Sequence, residues 1–364
     1  MIMEPSFHPS TVLVTGGAGF IGGNLIRWMF DRVPGIRIIN LDLLTYAGNL
    51  ESLSDVETQF GPRGDGHYRF VHGDIRDGAL VSTLLGGDAH ATDRDEWRPD
   101  AVLHLAAESH VDRSIMGAEA FVSTNVQGTL SLLTAVQREL ELRPRPFRFI
   151  NVSTDEVYGS LGPLDAAFTE QHPLRPNSPY SASKAGADCL VRAYTETFGL
   201  PCLTTRCSNN YGPYQFPEKL IPLMITKALR DEQLPVYGDG GNVRDWLHVR
   251  DHASAIWRVC TNGVLSDEVY NIGGSSERTN LAIVRILLAA LGKPESLITY
   301  VRDRLGHDQR YAIDASRMVE RLGWSPEYTL ERGLQETLTW YVENVAWWER
   351  VRTEAYRATN ALYS

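Results

Sequence analysis

Short runs of β-branched and aliphatic residues alternate with longer stretches of helical period through the first two hundred positions. Thr11–Thr15, Arg37–Leu41, Tyr68–Val71, Ala101–Leu105, Phe147–Val152 and Leu203–Thr205 read as strands. Several are nearly continuous in apolar residues, as expected of parallel strands covered on both faces. Gly22–Arg32, Glu119–Glu141 and Tyr180–Phe198 read as helices between them. Such alternation predicts an α/β fold with a Rossmann-type doubly wound parallel sheet. Gly61–His67 and Gly86–Arg98 are polar and read as surface loops.

After Arg206 the pattern becomes irregular. Strands Pro235–Tyr237, Asp245–Val249, Val269–Ile272 and Ile298–Val301 mix with helices at Pro222–Asp231, Asn280–Leu291 and Glu331–Asn344. We therefore expect a dinucleotide-binding domain over 1–205, with segments near 240–275 returning to it. A smaller α+β, substrate-binding C-terminal portion would occupy 206–364.

Composition narrows the classes. With 35 Lys+Arg against 45 Asp+Glu, the net charge is −10, which disfavours a nucleic-acid backbone binder. No apolar run reaches the 18 or so residues of a membrane span, and the first ten residues lack the apolar core of a secretory signal. Cys189, Cys202, Cys207 and Cys260 show no metal-ligand or disulfide spacing. A cytoplasmic protein without a metal is expected.

Candidate chemistry begins where the first strand ends. Gly16, Gly19 and Gly22 form G-x-x-G-x-x-G between a strand and a helix. Glycines there allow a tight turn and close backbone approach to a pyrophosphate. A bare Gly-rich turn is the bland reading, but Asp42 follows 20 residues after Gly22, where a carboxylate accepts from the adenosine ribose hydroxyls. Asp42 repels a 2′-phosphate, and Leu43 and Leu44 supply no cation, so NAD is expected rather than NADP. Asp74 and Leu105-Ala106-Ala107-Glu108-Ser109 sit at later strand ends, where a dinucleotide lies. Tyr180 and Lys184, at i and i+4, share one helix face. The ammonium favours a phenolate able to take an alcohol proton.

These motifs resemble the extended short-chain dehydrogenase/reductase superfamily, and within it the dTDP-glucose 4,6-dehydratase family, from about Thr11 to Trp348. Ser153–Gly159, Asn177–Lys184, Ser208–Pro213, Pro217–Pro222, Arg244-Asp245-Trp246 and Gly306-His307-Asp308 carry the resemblance most specifically. It implies a homodimer built on a four-helix bundle, and it extends the NAD contacts to Phe20, Ile21, Leu43, Leu44, Thr45, Ile75, Thr124 and Asn210. It places Asn209, Lys219, Leu220, Pro235, Tyr237, Arg244, Asn280, Arg304 and His307 around the dTDP moiety, with Ser109 and Thr154 on the sugar C4 oxygen. Arg244 and Arg304 suit a pyrophosphate, and Tyr237 suits a stacked base.

Thr154-Asp155-Glu156 makes chemical sense by itself. Oxidising C4 of a hexose acidifies the C5 hydrogen and places the C6 hydroxyl β to a ketone, so elimination needs a base at C5 and an acid at the C6 oxygen. The resemblance makes Asp155 the acid and Glu156 the base. Adjacent residues of a strand face opposite ways, so the triplet is expected past a strand end. The bland reading is an acidic helix start capped by Thr154.

Two departures from the family pattern stand out. Leu43 replaces a usual Lys, which bears on a polar contact to the cofactor ribose. Leu305 replaces a usual Pro, which bears on the stiffness of its loop. Competing readings are a nucleotide-sugar 4-epimerase, a dehydratase for another nucleotide sugar, and a silent NAD-binding regulator. The first needs no acid/base pair at C5 and C6. The last would be expected to have lost some of Thr154, Asp155, Glu156, Tyr180 or Lys184.

Overall fold

The computed structural model describes residues 6–86, 97–303 and 306–353. Strands β1 (Thr11–Thr15), β2 (Arg37–Asp42), β3 (Tyr68–His72), β4 (Ala101–His104), β5 (Arg148–Thr154) and β6 (Cys202–Cys207) follow one another with helical connections. They are succeeded by β7 (Asn209–Tyr211), β8 (Leu234–Tyr237), β9 (Val243–His248), β10 (Val269–Ile272), β11 (Glu277–Thr279) and β12 (Ile298–Val301). The central sheet runs β3-β2-β1-β4-β5-β6-β10, and every pairing in it is parallel. The strand order reverses between β1 and β4, which opens a crevice at the strands' carboxyl ends. This is the doubly wound sheet that the alternating pattern predicts.

Period-two alternation explains how both faces are covered. Val12 and Val14 pack with Leu25, Ile26 and Met29 of helix Phe20–Arg32 and with Ile256 and Val259 of helix Val249–Asn262. Leu13, between them, packs on the other face with Leu132 and Val136 of helix Thr129–Leu142 and Val191 of helix Pro179–Phe198. The segment 249–272 thus supplies a helix and an edge strand to this layer. β7, β9 and β11 form a small sheet, and β8 pairs with β12. A second core joins Ile225, Ile283, Leu287, Leu334 and Trp348 beneath them.

Three expectations are refined. The helix read as Glu119–Glu141 is interrupted: Ala118–Phe121 leads into a π-helical turn, Val122–Gly128, before Thr129–Leu142 begins. The Thr129 hydroxyl donates to the Asn125 carbonyl at 2.6 Å. Gly128 lets the turn approach Ile75, whose Cδ1 would stand 2.4 Å from any added Cβ. Thr154 is the last residue of β5 rather than lying beyond it, and Asp155–Tyr158 forms a 3-10 turn. β3 ends at His72, so Asp74 lies just past the strand. Most of the expected loop 86–98, and both Arg304 and Leu305, fall outside the described residues. Among the described residues no helix is long and apolar enough to cross a membrane.

Candidate active site

Glycine is required in the turn after β1. Gly16 has φ +76°, and a Cβ there would sit 2.6 Å from the Ala106 amide nitrogen. On Gly22 a Cβ would lie 2.3 Å from the Gly16 carbonyl oxygen. Gly19 begins helix Phe20–Arg32 without a side-chain cap, and no acidic residue enters the first turn. That positive helix end is shaped for a phosphate. Asp42, at the end of β2, accepts the Ala18 amide at 2.9 Å and the Leu44 amide at 2.8 Å. Burial raises its carboxyl pKa and these two bonds oppose the rise. Beside it stands Leu43, 39% exposed, where a cation would have to be for a 2′-phosphate. A cradle that a Cβ would fill, followed by a fixed carboxylate and no cation, fits NAD.

A cavity of about 320 Å³ runs from this turn across the strand ends, within the roughly 300–1,000 Å³ of small-ligand sites. It is lined by Gly16, Gly19, Phe20, Ile21, Gly22, Asp42, Leu43, Thr45, Asp74, Ile75, Leu105, Ala106, Ala107, Ser109, Thr124 and Asn210. Thr154, Asp155, Glu156, Tyr180, Lys184, Asn209 and Lys219 line it too. Leu44 does not; its contribution is the amide that holds Asp42. Asp74 is paired with Arg76 at 2.5 Å, and Lys219 Nζ donates to the Ser109 carbonyl at 3.1 Å.

The candidate chemical groups converge from two elements. Ser178 and Ser181 cap helix Pro179–Phe198 reciprocally, with Pro179 at its first turn, so Tyr180 stands near the positive helix end. Tyr180 is pushed well above its ordinary pKa by burial and by Glu156, with a hydrogen bond shared with Thr154 acting the other way; Lys184, expected to favour the phenolate, is not among these influences, because burial and the neighbouring carboxylate dominate. The Tyr180 edge meets Phe121 at 6.3 Å. Lys184 is 4% exposed and donates to the Val152 carbonyl at 2.8 Å. Burial lowers its pKa, and Asp188 and Cys207 raise it.

From the other side, Thr154 Oγ1 accepts the Glu156 amide at 3.3 Å and caps the 3-10 turn. The acidic start capped by threonine is therefore present, and it faces the cavity. Asp155 is 2% exposed, its Oδ1 accepts from Thr154 at 3.4 Å, and its Oδ2 has no hydrogen-bond partner among the described residues. Burial first, then Glu156 and Asp245, raise its carboxyl well above the usual range, against Arg244. Adjacent carboxyls whose surroundings raise the pKa of one of them have the chemistry that an acid/base pair requires.

Leu220, Pro235, Tyr237, Arg244, Asn280 and His307 do not line this cavity. Leu220 packs against the second core, and four of the others make contacts of their own. Tyr237 meets His307 edge-on at 6.2 Å, and His307 is bonded to Asp303 at 2.7 Å. Asn280 donates its amide to the Asn242 carbonyl at 3.0 Å. Buried Arg244 stacks over Tyr311, donates to the Asp308 carbonyl at 3.0 Å, and acts electrostatically on Asp155.

Residues 13–337 match the family model described as GDP-mannose 4,6 dehydratase. A dTDP-glucose 4,6-dehydratase of Xanthomonas campestris pv. campestris (strain B100) is 55% identical, covering 96% of this chain and 97% of its own length. That of Neisseria meningitidis serogroup B (strain MC58) is 50% identical over 95% and 97%. The chain belongs to the dTDP-glucose 4,6-dehydratase family. The Bacillus anthracis dTDP-glucose 4,6-dehydratase, solved in complex with NAD, superposes with a TM-score of 0.82 at 48% identity, covering 94% of this chain and 99% of that one.

For a dTDP-glucose 4,6-dehydratase family member, the cavity also holds residues that sequence reading left unassigned. Tyr46, Cys207, Glu218, Trp347 and Val351 all line it. Glu218 lies in the family-like stretch Pro217–Pro222, so a signal was present. Trp347 and Val351 arrive from the C-terminal segment, and only the fold brings them here.

Proposed function

We propose that this chain dehydrates dTDP-glucose to dTDP-4-keto-6-deoxyglucose. The carrying observation is the Asp155–Glu156 pair beside Tyr180: a buried carboxyl with one oxygen unpartnered among the described residues, on the same turn as a second carboxylate whose charge acts on the phenol. The glycine turn and Asp42 would hold NAD, which would supply a hydride acceptor for oxidation at C4 and a hydride donor for reduction at C6. Thr154 and Ser109 hold the C4 oxygen, and Tyr180 takes its proton, supported by the Lys184 ammonium. Glu156 removes the C5 proton, and Asp155 protonates the departing C6 hydroxyl. Water is the only net product besides the sugar. Arg244 and His307 serve the nucleotide end.

The same proposal takes the dinucleotide domain as 1–205 with 249–272, and the protein as a cytoplasmic homodimer. Val122, Leu130 and Phe198, respectively 48%, 39% and 51% exposed, are apolar residues on the helices expected to pair, those read as Glu119–Glu141 and Pro179–Phe198. A monomeric mass in sedimentation at micromolar concentration would overturn the dimer.

Mixing the purified protein with dTDP-glucose tests the function. The 4-keto-6-deoxy product supports it. A C4 epimer in its place would make the chain an epimerase, and bound NAD without turnover would make it a regulator.

A further inference from the structure

A buried ion pair lies behind both halves of the site. Asp188 is one turn beyond Lys184, as Lys184 is one turn beyond Tyr180, so the three share a helix face. Asp188 accepts from Asn151 Nδ2 and from Arg206 Nε, each at 2.9 Å. Arg206, on β6, donates Nη1 to the Tyr158 hydroxyl at 2.9 Å, and that hydroxyl donates to Asn271 Oδ1 at 2.8 Å. Tyr158 closes the 3-10 turn that Asp155 and Glu156 open. Asp188, Arg206, Tyr158 and Asn271 are 4%, 6%, 2% and 0% exposed. Desolvation makes such a pair weak as a stabiliser, since apolar replacements often do as well. A placement role accounts for what stability does not.

We propose that Asp188, Arg206 and Tyr158 are positioning residues that set the acid/base turn against the Tyr180–Lys184 helix. Asp188 holds the Lys184 charge, and Arg206 with Tyr158 fixes the turn of Asp155 and Glu156. The groups facing Lys184 are Asp188 on its own helix, Cys207 on β6, the Val152 carbonyl on β5 and His104 on β4. His104, its pKa pushed down to about 3 by burial and then by Lys184, stays neutral. Asp188 is the largest influence that keeps Lys184 an ammonium against burial.

This rests on the proposed dehydratase reading, and stopped-flow measurements with dTDP-glucose separate the two. Wild-type protein must first reduce its NAD and exchange C5 hydrogen with solvent; failure of either defeats the reading itself. Given that, Asp188→Asn should move the alkaline limb of NAD reduction down by about one pH unit. The paired Asp188→Asn/Arg206→Met variant, which does not strand a buried Arg206 guanidinium without its carboxylate, should shift it in the same direction and guards against misfolding of the single variant. Tyr158→Phe should leave that limb in place yet slow C5 exchange by roughly tenfold or more. A general loss of folded protein would lower both rates together without moving the limb. An unmoved limb in folded Asp188→Asn or in the folded paired variant, or equal slowing of both steps per folded molecule in Tyr158→Phe, overturns the proposal.

Discussion

The Asp42 carboxylate accepts the Ala18 amide across 2.9 Å, tying the end of β2 to the glycine turn that follows β1. A carboxylate fixed there meets ribose hydroxyls and repels a 2′-phosphate, and Leu43 offers nothing to offset that repulsion. The protein should therefore retain NAD and work poorly with NADP after apo-reconstitution. Equal activity with NADP would contradict the assignment. Asp42→Ala should lose bound NAD and also destabilise the turn, because two backbone amides lose their acceptor.

Gly16 makes the turn possible. At φ +76° an L-residue is strained, and its Cβ would meet the backbone of Ala106 at 2.6 Å, where no flexible side chain can yield. Gly16→Ala should cost about 1–3 kcal/mol and strip the protein of cofactor. Gly35, at φ +73° with open space around it, isolates the conformational part. Gly35→Ala should be milder in thermal unfolding and keep full NAD content; a Gly16→Ala protein that keeps its NAD would refute the close-approach argument.

On the proposed mechanism the carboxyl pair acts after oxidation and Tyr180 acts during it. In Glu156→Gln, reduced nicotinamide should accumulate on the enzyme while C5 exchange falls by about a hundredfold or more. Tyr180→Phe should block nicotinamide reduction itself. A deuterium at C4 should reappear at C6 of the same sugar, since the carrier stays bound. Single-turnover absorbance with mass analysis of the product reads all three. Loss of NAD reduction in Glu156→Gln as complete as in Tyr180→Phe would show that the steps are not separate.

How far the sequence reveals this depends on where charge is buried. β1 and β2 are legible because their apolar runs are continuous. β6 reads only as Leu203–Thr205, whereas it spans Cys202–Cys207, because Arg206 looks like a solvent residue until Asp188 is seen beside it. Helix Val249–Asn262 keeps a helical apolar period at Val249, Ala253, Ile256, Val259 and Cys260 while also burying Asp251 and His252, so its signal is legible although the sequence reading names no helix there. The glycine turn, Asp42, Tyr180 and Lys184 are local patterns and were readable. Partners supplied from far along the chain, such as Arg244 for Asp155 or Trp347 for the cavity wall, leave no local trace.

Asp155 carries a cost in stability that varies with pH. Its carboxyl is raised well above its ordinary 3.8, chiefly by burial and then by the Glu156 charge. Between about pH 4 and that raised value, the unfolded chain has released this proton while the native protein keeps it. Native protein then binds more protons than unfolded, so this group's contribution to stability falls as pH rises, by about 1.4 kcal/mol per unit across the window. Asp155→Asn removes the proton from the balance. The variant should match the wild type most closely near pH 4 and gain on it progressively toward pH 8 in thermal unfolding. Its dehydration should meanwhile be slow, because an amide is a poor proton donor to the C6 oxygen. A melting-temperature difference that stays constant from pH 4 to 8 would mean that Asp155 titrates normally, and would remove the physical basis for casting it as the acid.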